Sequence, residues 1–357
     1  MRILFVTNGL QSGGSERVVS MLANRLAERK HDVSVICVRG KDSFYPIHPD
    51  VHLFFLDKEH HCGSLLKKML WVRSYARRAG IEVVIAFIVR VYGFTLAALL
   101  GCGVPVITSE RNDPRSFNLL SRWIMRVFLP LSSRHVVQTT HIKAYYPSFI
   151  QRKTIIIPNP VSPKVLSQPV VQKRDLLISV GRLVPQKNQR MLIDSFATIA
   201  DKHPTYQLVI YGEGPLRDDL QQRVRQLDME ERILLPGRTK DIIQRLAEAR
   251  IFCLSSTHEG MSNALIEAVC VGLPVVCTCV SGVDELITDG ENGLVVEQQD
   301  EKTFSTALDR LMSNQQLQER MGRNGRQRAE LFDLTNIIKL WETIMMKTRK
   351  TDRHCRY

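Results

Sequence analysis

Three absences narrow the reading of this 357-residue chain. No apolar run reaches the roughly 18–20 residues that a helix needs to span a bilayer, which excludes a helical integral membrane protein. No Cys-x-x-Cys pair occurs among the eight cysteines, so the common zinc and dithiol spacings are missing. No Gly-x-Gly-x-x-Gly follows the first apolar run, which counts against NAD. Helix-turn-helix, zinc and ribonucleoprotein motifs are also lacking, so no nucleic-acid partner is expected despite a net charge of +13. The opening Met1-Arg-Ile-Leu-Phe-Val-Thr-Asn-Gly9 turns polar too early for a secretory signal and reads as a strand. A cytoplasmic protein is expected, with its cysteines buried as free thiols and with Cys277 and Cys279 on one strand face.

What is present is regular. At 44% apolar and 24% charged the composition is that of a soluble globular protein, and the length favours two domains. Strand-like runs at 3–7, 33–38, 52–56, 83–87, 106–109, 136–138 and 154–157 alternate with helical patterns at 15–29, 64–79, 92–101, 118–129 and 141–149. Continuous apolar strands in such an alternation predict a parallel sheet covered on both faces. A proline-rich tract from Pro158 to Pro169 reads as a linker. The alternation then restarts, with strands near 176–181, 208–211, 233–235, 251–254, 275–278 and 294–296. The fold class is therefore α/β, two doubly wound Rossmann-like domains at 1–165 and 166–332, followed by a C-terminal helix and basic tail at 333–357. The helix is expected to return to the first domain. Ligands are expected outside the carboxyl ends of the strands, in a cleft where the two domains face each other.

The chemistry concentrates at strand ends. Glu259-Gly-Met-Ser-Asn-Ala-Leu-Ile-Glu267 follows an apolar strand and opens a helix that stops at Gly272. Gly260, Met261, Ser262 and Asn263 therefore sit at a helix start, where free N–H groups and the dipole suit a phosphate, flanked by two carboxylates that suit hydroxyls. Surface charge around a helix start gives the same pattern. Gly181-Arg-Leu-Val-Pro-Gln-Lys-Asn188 places Arg182 and Lys187 after the first strand of the second domain, with Asn188 as helix cap. Such a pair of cations can neutralise a diphosphate. After the first strand of the chain, Gly13 and Gly14 let backbone approach a phosphate or sugar beside a helix start. Gly212-Glu-Gly-Pro215 and Pro236-Gly-Arg238 read as plain turns.

Taken together, Gly13-Gly14, Gly181-Arg182 with Lys187-Asn188, and Glu259 to Asn263 with Glu267 resemble the retaining glycosyltransferases of family 4, which have the GT-B fold. Gly212 to Pro215 and Asp289-Gly-Glu-Asn-Gly293 fit as well. The resemblance covers nearly the whole chain and extends to bacterial enzymes of surface-polysaccharide or lipid-linked glycan synthesis. It implies a hexosyltransferase acting on a nucleotide sugar, UDP by preference, without metal or other cofactor. It assigns Arg182 and Lys187 to the donor diphosphate, Glu267 to the ribose, Glu259 to the transferred sugar, and the Gly260–Asn263 backbone to sugar and phosphate. Gly14 would approach the diphosphate from the first domain. Many relatives carry a histidine after a strand of the first domain, near the sugar. Here the stretch is Thr108-Ser-Glu-Arg-Asn-Asp113, so Glu110 or Arg111 takes that place as a sugar or acceptor contact. A second departure is Asp284, where relatives often have proline. The alternative activity on the same fold is a nucleotide-sugar epimerase.

The charge is lopsided. Residues 1–165 hold 23 Lys and Arg against 10 Asp and Glu, and residues 166–357 hold 26 of each. A one-sided basic domain implies a polyanionic partner. The 65–78 stretch reads either as a membrane-facing helix, with Trp71 and Tyr75 beside its cations, or as an ordinary helix with an apolar core face. A second cluster is Arg115, Arg122, Trp123 and Arg126. An anionic membrane surface bound peripherally from the cytoplasmic side fits a lipid-linked glycan acceptor.

Overall fold

Seven short, apolar, β-branched runs form the first sheet of the computed structural model: β1 (Arg2–Thr7), β2 (Asp32–Cys37), β3 (Val51–Phe55), β4 (Val83–Phe87), β5 (Val106–Ser109), β6 (Arg134–Val137) and β7 (Thr154–Ile156). Every neighbouring pair is parallel, in the order β3-β2-β1-β4-β5-β6-β7. Both faces are covered, which is why the central strands show no polar alternation. The helices are α1 (Gly14–Glu28), α2 (Leu65–Arg78), α3 (Val89–Leu99), α4 (Leu119–Phe128), α5 (Thr140–Tyr145) and α6 (Ser148–Gln151). One face packs α1 and the C-terminal helix; the other packs α2, α3 and α4. The structure describes residues 1–11, 13–59, 63–168 and 171–354, so Cys62, Pro169 and the last residues of the basic tail lie outside it.

The second sheet has β8 (Leu176–Val180), β9 (Gln207–Tyr211), β10 (Ile233–Gly237), β11 (Ile251–Leu254), β12 (Val275–Thr278) and β13 (Gly293–Val296), all parallel, in the order β10-β9-β8-β11-β12-β13. Its helices are α7 (Pro163–Leu166), α8 (Gln189–Ala197), α9 (Arg217–Gln226), α10 (Ile242–Glu248), α11 (Asn263–Val271), α12 (Glu301–Met312) and α13 (Gln315–Arg326). The last helix, α14 (Leu334–His354), belongs with the first unit. There Trp341 is fully buried and Glu342 accepts hydrogen bonds from Arg29 at 2.7 and 3.0 Å.

The chain leaves the first unit after Pro160, rather than at 165, and re-enters it at Leu334, rather than at 333. The proline-rich tract is not a free linker. The Val161 amide donates to the Phe332 carbonyl at 2.8 Å, and Val161 and Val165 are buried in the second core. Two helix starts also differ from the sequence pattern. Ile88 takes a positive φ of 61°, so α3 begins at Val89 instead of 92. Asn188 turns the chain with a left-handed backbone, φ 45°, and its side chain caps nothing.

The aromatic residues of α2 are half-buried and pack against the core. Trp71 and Tyr75 stack on each other at 5.3 Å and edge onto Phe54, and the Tyr75 hydroxyl bonds the Ser34 hydroxyl at 2.8 Å. Burial pushes the Cys253 and Cys277 thiols well above their ordinary range. Cys279 lies past the end of β12 and is exposed, so it does not share a strand face with Cys277. Among the described residues no helix is long and apolar enough to cross a membrane.

Candidate active site

The winding of the second sheet reverses between β8 and β11. Loops leaving two such strands diverge to opposite faces, which opens a crevice at their carboxyl ends. Both loops carry the residues singled out from the sequence. After β8, Gly181 and Arg182 lead into a 3₁₀ turn, Pro185–Lys187. After β11, Ser255 to Ser262 lead into α11.

The two loops are tied across the crevice. The Thr257 amide donates to the Gln186 carbonyl at 2.9 Å, and Gln186 Nε2 donates to the His258 carbonyl at 2.8 Å. The Lys187 ammonium meets Glu259 Oε1 in an ion pair. The same oxygen accepts from the Ser256 hydroxyl at 2.6 Å. Glu259 is only 7% exposed, and its carboxylate is met there by one cation and one hydroxyl. Thr278 in turn donates to the Ser256 carbonyl at 2.6 Å, fixing the serine from the neighbouring strand.

Arg182 is exposed, and its loop is braced from behind. The Gly181 amide donates to the Tyr211 carbonyl and the Leu183 amide to the Glu213 carbonyl, both at 3.0 Å. This close approach explains the glycines after β9. A Cβ at Gly212 (φ 151°) would lie 1.8 Å from the Gly181 carbonyl oxygen, and one at Gly214 would lie 2.3 Å from that of Leu183. These glycines are therefore more than plain turns, because they shape the loop that carries Arg182. Gln189 adds a bond from its Nε2 to the Arg182 carbonyl at 2.8 Å.

Gly260, Met261 and Ser262 are buried at the entry to α11, and the Ser262 hydroxyl accepts from the Leu265 amide. Asn263 is the first helical residue and is half-buried. Glu267 lies one turn further and is 3% exposed. Ser256, Thr278 and Gln189 were not evident from the sequence. Each is an ordinary polar residue whose role comes only from where the strand ends bring it.

In the first unit the winding reverses between β1 and β4. Gly13 precedes α1, and Gly14 is its exposed first residue. The Tyr45 hydroxyl donates to the Gly13 carbonyl at 3.0 Å. A Cβ at Gly13 would lie 2.3 Å from a Glu16 carboxylate oxygen, so an anion arriving at this helix start meets an acidic side chain there.

Glu110 and Arg111 follow β5 but are closed off, at 0% and 7% exposure. Glu110 Oε1 accepts from the backbone amides of Arg111 at 2.9 Å and Asn112 at 3.1 Å. Burial pushes its carboxyl up to about 7, against the pull of those two amides and the Arg111 charge. The Arg111 guanidinium packs on the Phe87 and Trp341 rings and donates to Asn159 Oδ1 at 2.6 Å. Burial lowers its pKa to about 9, partly offset by Glu110. Contact of either residue with a ligand requires the 110–116 loop to open. The nearby His135 is no substitute for a sugar-binding histidine. It is fully buried, shares a 2.8 Å bond with Thr108, and burial lowers it to about 3.

Comparison with known proteins bears on the family and the fold. The family model for Glycosyltransferase Family 4 matches residues 12–165, and that for Glycosyl transferases group 1 matches residues 166–328. The chain is 28% identical, over 98% of its length and 99% of the relative's, to a Campylobacter jejuni enzyme, GalNAc-alpha-(1->4)-GalNAc-alpha-(1->3)-diNAcBac-PP-undecaprenol alpha-1,4-N-acetyl-D-galactosaminyltransferase. Among solved structures, sucrose-phosphate synthase from Thermosynechococcus elongatus superposes with a TM-score of 0.82 at 17% identity, covering 97% of this chain and 99% of that one. Anabaena HepE in complex with UDP superposes with a TM-score of 0.77 at 20% identity, covering 97% and 100%. The two parallel-sheet units thus have the GT-B fold. With both halves matched, the chain belongs to the glycosyltransferases, its first half a family 4 domain and its second a group 1 domain.

Proposed function

We propose that this glycosyltransferase moves a hexose or N-acetylhexosamine, with retention, from a nucleotide sugar to a lipid-linked glycan in surface-polysaccharide or glycoconjugate synthesis. The observation that carries the reading is the Lys187–Glu259 pair at the switch point of the second sheet, with Arg182 on the same loop. In this reading Arg182 and Lys187 bind the donor diphosphate, Glu267 the ribose, and Glu259 the sugar, while Gly260 to Asn263 offer backbone groups at the α11 start. UDP is favoured because HepE, of the same fold, is solved with UDP. The lipid-linked acceptor is favoured because the Campylobacter relative is named for an undecaprenol diphosphate glycan.

The step follows from charge. The acceptor hydroxyl oxygen bonds the anomeric carbon on the face that the diphosphate leaves, the carbon–oxygen bond to the diphosphate breaks, and the hydroxyl proton passes to a diphosphate oxygen. Negative charge grows on the leaving group, and the two cations stabilise it there. Work on such an acceptor places the protein peripherally at the cytoplasmic face of a membrane, held by the basic first unit. Gly13 and Gly14 would offer close backbone approach to a phosphate or sugar, and Glu110 and Arg111 would shape the acceptor side through the 110–116 loop.

The test is nucleoside diphosphate release from a panel of UDP- and GDP-sugars, with and without detergent-dispersed membrane lipid extract, for wild type, Arg182→Ala and Glu259→Ala. Release from one donor that needs extract and falls at least about a hundredfold in both variants is expected. Conversion of a donor sugar without any acceptor would replace the reading with an epimerase. Near-normal turnover in Glu259→Ala would remove that residue from the site.

A further inference from the structure

The helix α4 turns an apolar stripe outward. Leu119 is 83% exposed, Leu120 55% and Trp123 57%, and Val127 and the following Leu131 are also exposed. Leu119, Trp123 and Val127 are spaced i, i+4, i+8, and Leu120 joins them at i+3 before Trp123, so they form one face over two turns. The inward residues are Ser121 and Met125. An exposed apolar face of this size on one short helix is a contact surface.

Its surroundings are predominantly cationic, although Asp113 pairs with Arg115 at 3.4 Å and Asp57 with Lys68. Arg115, Arg122 and Arg126 flank the stripe. On the same face of the sheet, α3 lies between α2 and α4. The three helices carry Lys67, Lys68, Arg73, Arg77, Arg78, Arg90, Arg122 and Arg126 and not one Asp or Glu. Near its start α2 adds exposed Leu65, Leu66 and Leu70. In a parallel α/β sheet each helix begins at the carboxyl edge of the strands. The tips of α2 and α4 thus stand at the edge where Gly13, Gly14 and the 110–116 loop lie.

We infer that α4 is a lipid-inserting wedge: Leu119, Leu120, Trp123 and Val127 enter the acyl boundary of an anionic bilayer while Arg122 and Arg126 hold its headgroups. Apolar side chains flanked by Arg122 and Arg126, on a helix without acids, match that surface. The wedge replaces the Trp71–Tyr75 face as the membrane contact, since those rings are half-buried, stacked on each other and packed on Phe54, with the Tyr75 hydroxyl held by Ser34. It brings the first unit's strand edge to the bilayer, where a diphosphate-linked acceptor emerges.

The inference rests on the membrane-side reading above, yet the two fail separately. Vesicle binding needs no donor, and turnover in detergent-dispersed extract needs no bilayer. The experiment is co-sedimentation of the full chain with vesicles of phosphatidylcholine alone or of equal parts phosphatidylcholine and phosphatidylglycerol, for wild type, Trp123→Ser, Leu120→Ser and the conservative Trp123→Phe. Wild type is expected to bind the mixed vesicles, more weakly as salt rises, and each serine variant about tenfold more weakly with unchanged thermal unfolding. A blue shift of tryptophan emission on binding should vanish in Trp123→Phe, which still binds. Equal binding of both serine variants, or no preference for the anionic vesicles, would overturn the inference. So would a dimer by light scattering that Trp123→Ser dissolves, because the stripe would then belong to a second copy of the chain.

Discussion

Glu110 should make the first unit lose stability as pH rises, the reverse of the usual carboxylate. Its folded pKa is raised from 4.5 to about 7 by burial. A raised acid favours the protonated folded state, so its contribution is fully present below the unfolded value near 4.5 and is lost as pH climbs through about 7. The difference of about 2.5 units corresponds to about 3 kcal/mol, or roughly 6–12 °C in the melting of a unit of this size. The probe is Glu110→Gln, which cannot ionise but whose side-chain oxygen still accepts from the Arg111 and Asn112 amides. Thermal melts of both proteins by circular dichroism, at several values from about pH 5 to 8, give the melting difference between variant and wild type. Titrations common to the two, such as those of the depressed Asp57 and Glu342, cancel in that difference. The variant should gain on wild type steadily with pH. A difference that stays flat over the window would refute the argument, because it would mean that Glu110 ionises in the folded state as readily as in the unfolded one.

Two further outcomes follow from close contacts. Gly214→Ala would press a Cβ to 2.3 Å from the Leu183 carbonyl oxygen, which backbone must relieve, so the second unit should lose about 1–3 kcal/mol. Because the displaced loop carries Arg182, UDP affinity by titration calorimetry should fall about tenfold as well; a lowered melting point with unchanged affinity would break the link between that turn and the cation. Lys153→Met removes an ammonium that donates to the Leu129, Pro130 and Ser132 carbonyls at 2.8–2.9 Å, and should cost about 2 kcal/mol, read as a fall of roughly 4–8 °C. A melting point within error of wild type would show that water satisfies those carbonyls equally well.

The strands and helices were legible because burial on both faces leaves a one-letter pattern of continuous apolar runs, and glycine stops such as Gly272 (φ 88°) mark where helices end. What was not legible depends on long-range geometry. Nothing local marks Ile88 for a positive φ, a conformation that a β-branched residue takes only when its surroundings impose it. Proline density from Pro158 onward is a true signal for a break in regular structure, but it says nothing of burial; Val161 and Val165 are apolar residues between those prolines, and they fill the second core.

The candidate site divides in the same way. Lys187 and Glu259 are 72 positions apart in sequence, and taken singly each is compatible with surface charge. What separates a site from surface charge is that the strand order places β8 beside β11, so the two meet while mostly buried. A motif thus brings its residues into contact when topology sets their strand ends side by side, as it does for Lys187 and Glu259. Glu110 and Arg111 stand at the expected position after β5, but their side chains turn inward, one onto its own loop amides and the other onto Phe87 and Trp341. The partner that draws Arg111 inward, Trp341, comes from a helix 230 residues later in the chain, so no reading of the 108–113 stretch alone could have assigned that arginine to the fold's interior.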